Sequence, residues 1–173
     1  MNLQTERLLL RAFSDADLDA YAAMCADAEV MRYLSVTGAL LSREDAWRQM
    51  ALFAGHWALR GFGMWAVEER GSGRFIGRVG LHQPEGWPDR ELGWSLAREA
   101  WGRGYATEAA MALVEHARTA LAATRVVATV DPANAASRHV LEKVGMTADG
   151  ERIAYGRPHA VYAVDAGGLS STA

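Results

Sequence analysis

Between residues 91 and 108 the chain changes its periodicity abruptly, and no other feature constrains the fold as tightly. Residues 91–97, Glu-Leu-Gly-Trp-Ser-Leu-Ala, read as a strand. Residues 98–104 bring in Gly102 and Gly104, and a helix then begins near Tyr105 and runs to about residue 121. Its inner face is Ala106, Ala109, Ala110, Leu113, Val114 and Ala117, a thin surface that packs close to a sheet. Where a strand bends through glycine into a helix, the first backbone N–H groups lack intrahelical partners and the dipole is positive. Glycine lets a ligand approach that backbone closely. The bend is therefore a candidate phosphate cradle, with Arg103 available for a charge-assisted contact.

Two familiar cradles fail on inspection. A dinucleotide fingerprint needs glycine three residues after Gly104, where this chain has Thr107. A nucleoside-triphosphate loop needs Gly-Lys followed by Ser or Thr, a tripeptide that does not occur.

The flanking pattern predicts one α/β domain over 1–165, followed by a flexible tail over 166–173. Residues 5–13 read as one buried strand, and Ser14 with Asp17 forms a capping box that opens a helix. A short helical segment over 27–34 follows, and Ser42 with Asp45 caps a longer helix ended by Gly61 and Gly63. Residues 63–69 and 74–83 form a hairpin around Arg70-Gly71-Ser72-Gly73. Residues 124–130 read as a buried strand, 134–144 as a helix, and 146–152 and 160–165 as the last strands. The order implies a mixed, twisted sheet of about seven strands with helices on both faces.

Composition removes several functions. At 173 residues with a net charge of −3, the chain has no broad basic field, so no nucleic-acid partner is expected. No apolar run approaches membrane-spanning length, and the opening residues lack a signal-peptide layout, so no membrane partner and a cytoplasmic location are expected. Cys25 is the single cysteine, which excludes an intrachain disulfide, and its amphipathic surroundings read as a buried, inert thiol. His56, His82, His116, His139 and His159 show no metal-ligating spacing, and no metal is expected. The tryptophans read mostly as core. Trp87, in a Pro- and Gly-bearing loop ahead of Glu91, is the exception and is expected, from chain position, to line a cleft together with the 36–41 loop.

Trp101-Gly102-Arg103-Gly104-Tyr105-Ala106-Thr107-Glu108 resembles the pyrophosphate motif of the GNAT superfamily of acetyl-CoA-dependent N-acetyltransferases. Thr5-Glu6-Arg7-Leu8-Leu9-Leu10-Arg11, Asp131-Pro132-Ala133-Asn134-Ala135-Ala136-Ser137 and Leu141-Glu142-Lys143-Val144-Gly145-Met146 extend the likeness, and it is closest to the RimJ/RimL-type branch. Trp101 departs from the Arg or Gln usual at the motif's first position and reads as a branch marker. The resemblance implies an acyl-CoA N-acyltransferase fold whose sheet splays at the cofactor site. It implies acetyl-CoA as co-substrate, with backbone amides of Gly102, Arg103, Gly104, Tyr105, Ala106 and Thr107 on the pyrophosphate. It also implies that Trp94, Ser95 and Leu96 pair with the pantetheine arm and that Asn134 and Ser137 lie beside it.

The implied reaction is direct acetyl transfer to a primary amine, either a protein N-terminal α-amine or a small molecule, in a ternary complex formed by a monomer or homodimer. An α-amino group is roughly 10–20% neutral at pH 7 and a lysine only about 0.04%, so an N-terminal acceptor asks little of a base. Glu91 is the candidate base because it shares a strand face with Gly93 and Ser95, the alternative being a solvated carboxylate at a strand start. Ser137 is the candidate acid for the departing thiolate, and Asn134 and Ser137 also suit plain helix capping. Tyr162 reads as a fallback acid or as core. A glutamate at position 104 is expected to abolish acetyl-CoA binding by setting a carboxylate against the pyrophosphate. A non-catalytic acyl-CoA-binding or sensing module is the main rival reading, and free thiol release with a panel of amines separates the two.

Overall fold

Capping decides where the helices begin. A computed structural model describes residues 2–34, 38–154 and 156–166. At Ser14 the backbone N–H and the hydroxyl both donate to Asp17 Oδ2, at 2.8 and 3.1 Å. That box opens a 3-10 turn at Asp15–Asp17, from which α1 (Leu18–Cys25) continues. α2 is the single turn Ala28–Met31, with Asp27 accepting from the Glu29 N–H. Ser42 accepts from the Asp45 N–H to start α3 (Arg43–Arg60), and Gly61 closes it.

The strands form one sheet of eight, in the order β1-β2-β3-β4-β5-β6-β8-β7. The opening residues make two strands, β1 (Leu3–Gln4) and β2 (Leu8–Arg11), where the sequence predicts one. Thr5 turns the chain between them by accepting from the Leu8 N–H and donating its own to the Leu8 carbonyl, and this accounts for the eighth strand. β3 (Met64–Glu69), β4 (Arg74–His82) and β5 (Glu91–Leu96) complete an antiparallel meander. α4 (Tyr105–Thr119) then carries the chain over the sheet to β6 (Arg125–Val130), the parallel neighbour of β5. α5 (Ala135–Lys143) follows, and β8 (Arg157–Asp165) inserts between β6 and β7 (Thr147–Ala154).

Two cores result, one on each face. Beneath α4 lie Leu8, Leu10, Trp65, Val79, Leu92, Leu96, Leu113 and Val126. Beneath α1 and α3 lie Tyr21, Met24, Cys25, Met50, Phe53 and Met64. Cys25 is buried as expected. The tryptophans are less uniformly internal than the sequence suggests, since Trp47 and Trp101 are 52% and 46% exposed. Ala166, expected to begin the tail, is buried and donates its N–H to the Thr124 carbonyl at 2.9 Å. The rest of that tail, and residues 36 and 37 of the expected cleft loop, lie outside the described residues. Among the described residues no helix is long and apolar enough to cross a membrane.

Candidate active site

β5 and β6 are registered at one pair only, Glu91 with Val127, where the Val127 N–H donates to the Arg90 carbonyl at 3.0 Å. Beyond it the strands part. On the other edge β5 stays paired with β4 along its whole length, and the Ala97 N–H donates to the Ile76 carbonyl. Backbone groups alternate edges along an antiparallel strand. The peptide groups of Trp94 and Leu96 therefore face the opening, while Leu92 belongs to the one rung. The Leu96 carbonyl is already taken, because the Trp101 indole N–H donates to it at 2.8 Å. That bond gives Trp101 a structural role that the sequence motif does not reveal.

The bend after β5 ends at Gly104, whose φ of +79° is left-handed, as is the +72° of Gly102. No side chain caps α4 there, so the N–H groups of its first turn remain available to an anion. The β1–β2 turn braces this helix end from below. Glu108 Oε1 accepts from the Thr5 hydroxyl at 2.5 Å and from the Arg7 N–H at 2.9 Å, while Arg7 Nε reaches Oε2 at 2.6 Å. Arg7 also donates to the Arg103 carbonyl at 2.9 Å. A Cβ built at Gly104 would point at the Arg7 guanidinium, 3.4 Å away, so a glutamate there heads first toward an arginine. The Arg103 side chain turns from the bend to Glu69, at 3.2 Å, and over the Tyr105 ring.

Two cavities meet at the opening. One, of about 430 Å³, is lined by Trp94, Ser95, Leu96, Gly102, Gly104 and the first turn of α4. The other, of about 510 Å³, lies toward Glu91, Trp87 and His82. Tyr33, Leu34, Trp94, Asn134 and Ser137 line both, so the two form one passage across the sheet. Ser95 Oγ is buried on this passage with no hydrogen-bond partner. Asn134 caps α5 through Oδ1, which accepts from the Ser137 N–H at 3.1 Å. Lys143, Arg32 and His139 also line the smaller cavity, and sequence reasoning missed them. The signal was available for Lys143, since Ala136, Val140 and Lys143 recur at helical spacing along α5.

Glu91 sits at the fork of the strands. Its carboxylate accepts from Arg152, which also donates to Thr129 on β6. Burial pushes the Glu91 carboxyl above its ordinary value, and Arg152 opposes that rise incompletely. His82, directly opposite on β4, is held neutral: burial and the nearby charge of Arg78 depress its pKa to about 4. The neighbouring His56 ring carries its proton on Nδ1, because Nδ1 lies 2.8 Å from the Phe62 carbonyl and Nε2 accepts from the Gln83 N–H. Tyr162 packs in the core and lines neither cavity. Among the described residues no three His, Cys, Asp or Glu side chains converge as a metal site requires.

The family model for the acetyltransferase (GNAT) domain matches residues 7–147. The chain is 32% identical over 149 residues to the uncharacterized N-acetyltransferase YoaA of Bacillus subtilis (strain 168), covering 86% of this chain and 84% of YoaA. Among solved structures, an acetyltransferase from Agrobacterium tumefaciens str. C58 superposes with a TM-score of 0.83 at 31% identity, over 95% of this chain and 94% of that one. The RimL ribosomal L7/L12 alpha-N-protein acetyltransferase in complex with coenzyme A shares the fold, with a TM-score of 0.80 at 18% identity over 95% and 98% of the two chains. The chain belongs to the GNAT family of acetyltransferases.

Proposed function

We propose that the protein takes the acetyl group of acetyl-CoA and passes it directly to a primary amine within a ternary complex. The observation that carries this reading is the single passage joining an uncapped helix N-terminus to an unpaired strand edge. A diphosphate needs the first feature, and a chain of amides needs the second. The residues present fit such a ligand: the bend leaves its N–H groups free, Ser95 offers a buried hydroxyl without a partner, and Lys143 supplies counter-charge.

Acetyl-CoA, when bound, supplies an activated acetyl thioester. The remaining work belongs to the chain. Gly102, Arg103, Gly104, Tyr105, Ala106 and Thr107 hold the pyrophosphate through backbone N–H groups, and Trp94, Ser95 and Leu96 orient the pantetheine. The Leu96 N–H, on the free edge, serves the developing oxyanion. Glu91 takes a proton from the incoming amine, and its raised pKa makes it a stronger base than an exposed carboxylate. Ser137, on the wall common to both cavities, or a water there gives a proton to the thiolate and regains one from solvent. Asn134 fixes the α5 terminus that presents Ser137.

Residues 1–165 act as one catalytic domain in this reading. The acceptor is a small-molecule amine or a protein N-terminal α-amine, and the RimJ/RimL-like motif favours the latter by likeness. Titration calorimetry with acetyl-CoA, followed by thiol release with a panel of amines, tests the proposal. Micromolar binding with amine-dependent release is the expected result. Binding without release by any amine would reduce the protein to a sensor of acyl-CoA.

A further inference from the structure

The larger cavity contains one charge that the protein leaves uncompensated. Glu91 is paired with Arg152, and Asp131 with Arg157 at 3.3 Å. Arg78, on the same cavity wall, has no ion pair among the described residues. Its guanidinium lies 5.3 Å over the Phe53 ring, and Nη1 lies 3.8 Å from Met64 Sδ. Its Nε is buried with no hydrogen-bond partner.

Its other neighbours are neutral. Burial pushes the Tyr21 hydroxyl and the Cys25 thiol above their ordinary values, and His82 is depressed to about 4. A partly desolvated guanidinium that meets only neutral groups is costly, and a ligand carrying the opposite charge removes that cost. Overall basicity does not explain it, since the chain carries a net charge of −3.

Position gives this charge a use. Arg78 stands directly opposite Ser95 on β5, while His82, four residues further along β4, stands opposite Glu91. All four share one face of the sheet, and Arg78 and Glu91 are thus separated by about 13 Å along the strands. Between them the cavity wall is largely apolar, with Leu52, Phe53, Met64 and Trp87.

We propose that Arg78 binds an anionic group on the amine acceptor, so that the substrate is a small amine carrying a carboxylate and an apolar body. This rests on the acetyl-transfer reading above and narrows its acceptor class. An amino acid whose amine and carboxylate stand at opposite ends of an apolar chain and a short peptide with an acidic side chain share this chemistry, and the assay separates them.

The test compares acetylation of 6-aminohexanoate with that of 6-aminohexanamide, and of Ala-Glu-Ala with Ala-Gln-Ala, by wild type, Arg78→Lys and Arg78→Met. In the wild type, at least one acidic member is expected to exceed its amide by about 10- to 100-fold in kcat/KM. Arg78→Met collapses that ratio toward one, and Arg78→Lys restores part of it. A large ratio in the first pair assigns the anion to a free carboxylate, and in the second to a peptide side chain. Ratios near one in wild type for both pairs overturn the proposal, as does a ratio unchanged in Arg78→Met. Calorimetry of the N-acetylated acid and amide of whichever pair shows the larger ratio, on the CoA-loaded protein, gives a readout independent of turnover, and equal affinities there also overturn it. If CoA itself fails to bind, the acetyl-transfer reading fails. If CoA binds and the acid is not preferred, only the role of Arg78 falls.

Discussion

Arg7 and Glu108 are 101 residues apart in sequence and meet at 2.6 Å beneath the α4 N-terminus. Burial works to raise the Glu108 carboxyl, but hydrogen bonds from Thr5 and Arg7, together with the Arg7 charge, outweigh it and hold the pKa below its ordinary value. The group therefore adds stability that is present above about pH 4.5 and is lost as pH falls through the depressed folded value. Glu108→Gln is expected to cost about 1 kcal/mol at pH 7, allowing for solvent screening of Arg7, and less at pH 3. Urea denaturation at the two pH values checks this. An equal loss at both would remove the ionic contribution.

Trp101 bonds the Leu96 carbonyl through its indole N–H. Trp101→Phe keeps the ring and deletes the donor. The bend is expected to loosen, with acetyl-CoA affinity falling about 5- to 10-fold, the equivalent of one hydrogen bond. Titration calorimetry measures it, and an unchanged affinity would separate this bond from cofactor binding.

At Gly102 the φ of +72° is unfavourable for any residue with a Cβ, although space around that Cβ is open. Gly102→Ala is expected to cost about 1–2 kcal/mol of strain. A bend that relaxes to avoid that strain misaligns its N–H groups, and acetyl-CoA binding weakens by about 10-fold or more. Binding and thermal denaturation, measured on the same preparation, distinguish lost alignment from a wholesale loss of fold.

Arg152 holds the Glu91 carboxyl down against burial. Arg152→Gln removes that restraint, so Glu91 keeps its proton to higher pH. With one acceptor used throughout, the acid limb of kcat/KM is expected to move to higher pH relative to wild type. A limb that stays in place would exclude Glu91 as the base.

His82 refuses a proton that the unfolded chain accepts. Its folded pKa of about 4 lies below the unfolded value of 6.5, so its contribution to stability is full above pH 6.5 and declines as pH falls toward 4. His82→Phe, packed among the Phe53, His56 and Trp87 rings, is expected to flatten that decline. Denaturation midpoints at pH 7.5 and 5 test it.

Local chemistry made much of this legible from sequence. Ser14, Ser42 and Asn134 announced three helix starts because capping depends on a few neighbouring atoms. The glycine bend was legible for the same reason. What the sequence hid depends on distant partners. Nothing near Thr5 or Arg7 indicates Glu108, and nothing near Glu91 indicates that Arg152, 61 residues away, neutralises it. Arg103 belongs with these, since nothing in the motif indicates that its guanidinium lies 3.2 Å from Glu69. Arg78 was invisible because its significance is an absence of counter-charge, which only a folded cavity reveals.

The one-rung junction between β5 and β6 leaves the sheet as two plates joined beside Glu91. A guest that bonds the bare edge acts as a mortar joint and turns two plates into one. Loading should therefore slow amide deuteration at Trp94 and Leu96 far more than at β4, so that the unpaired edge itself reports occupancy.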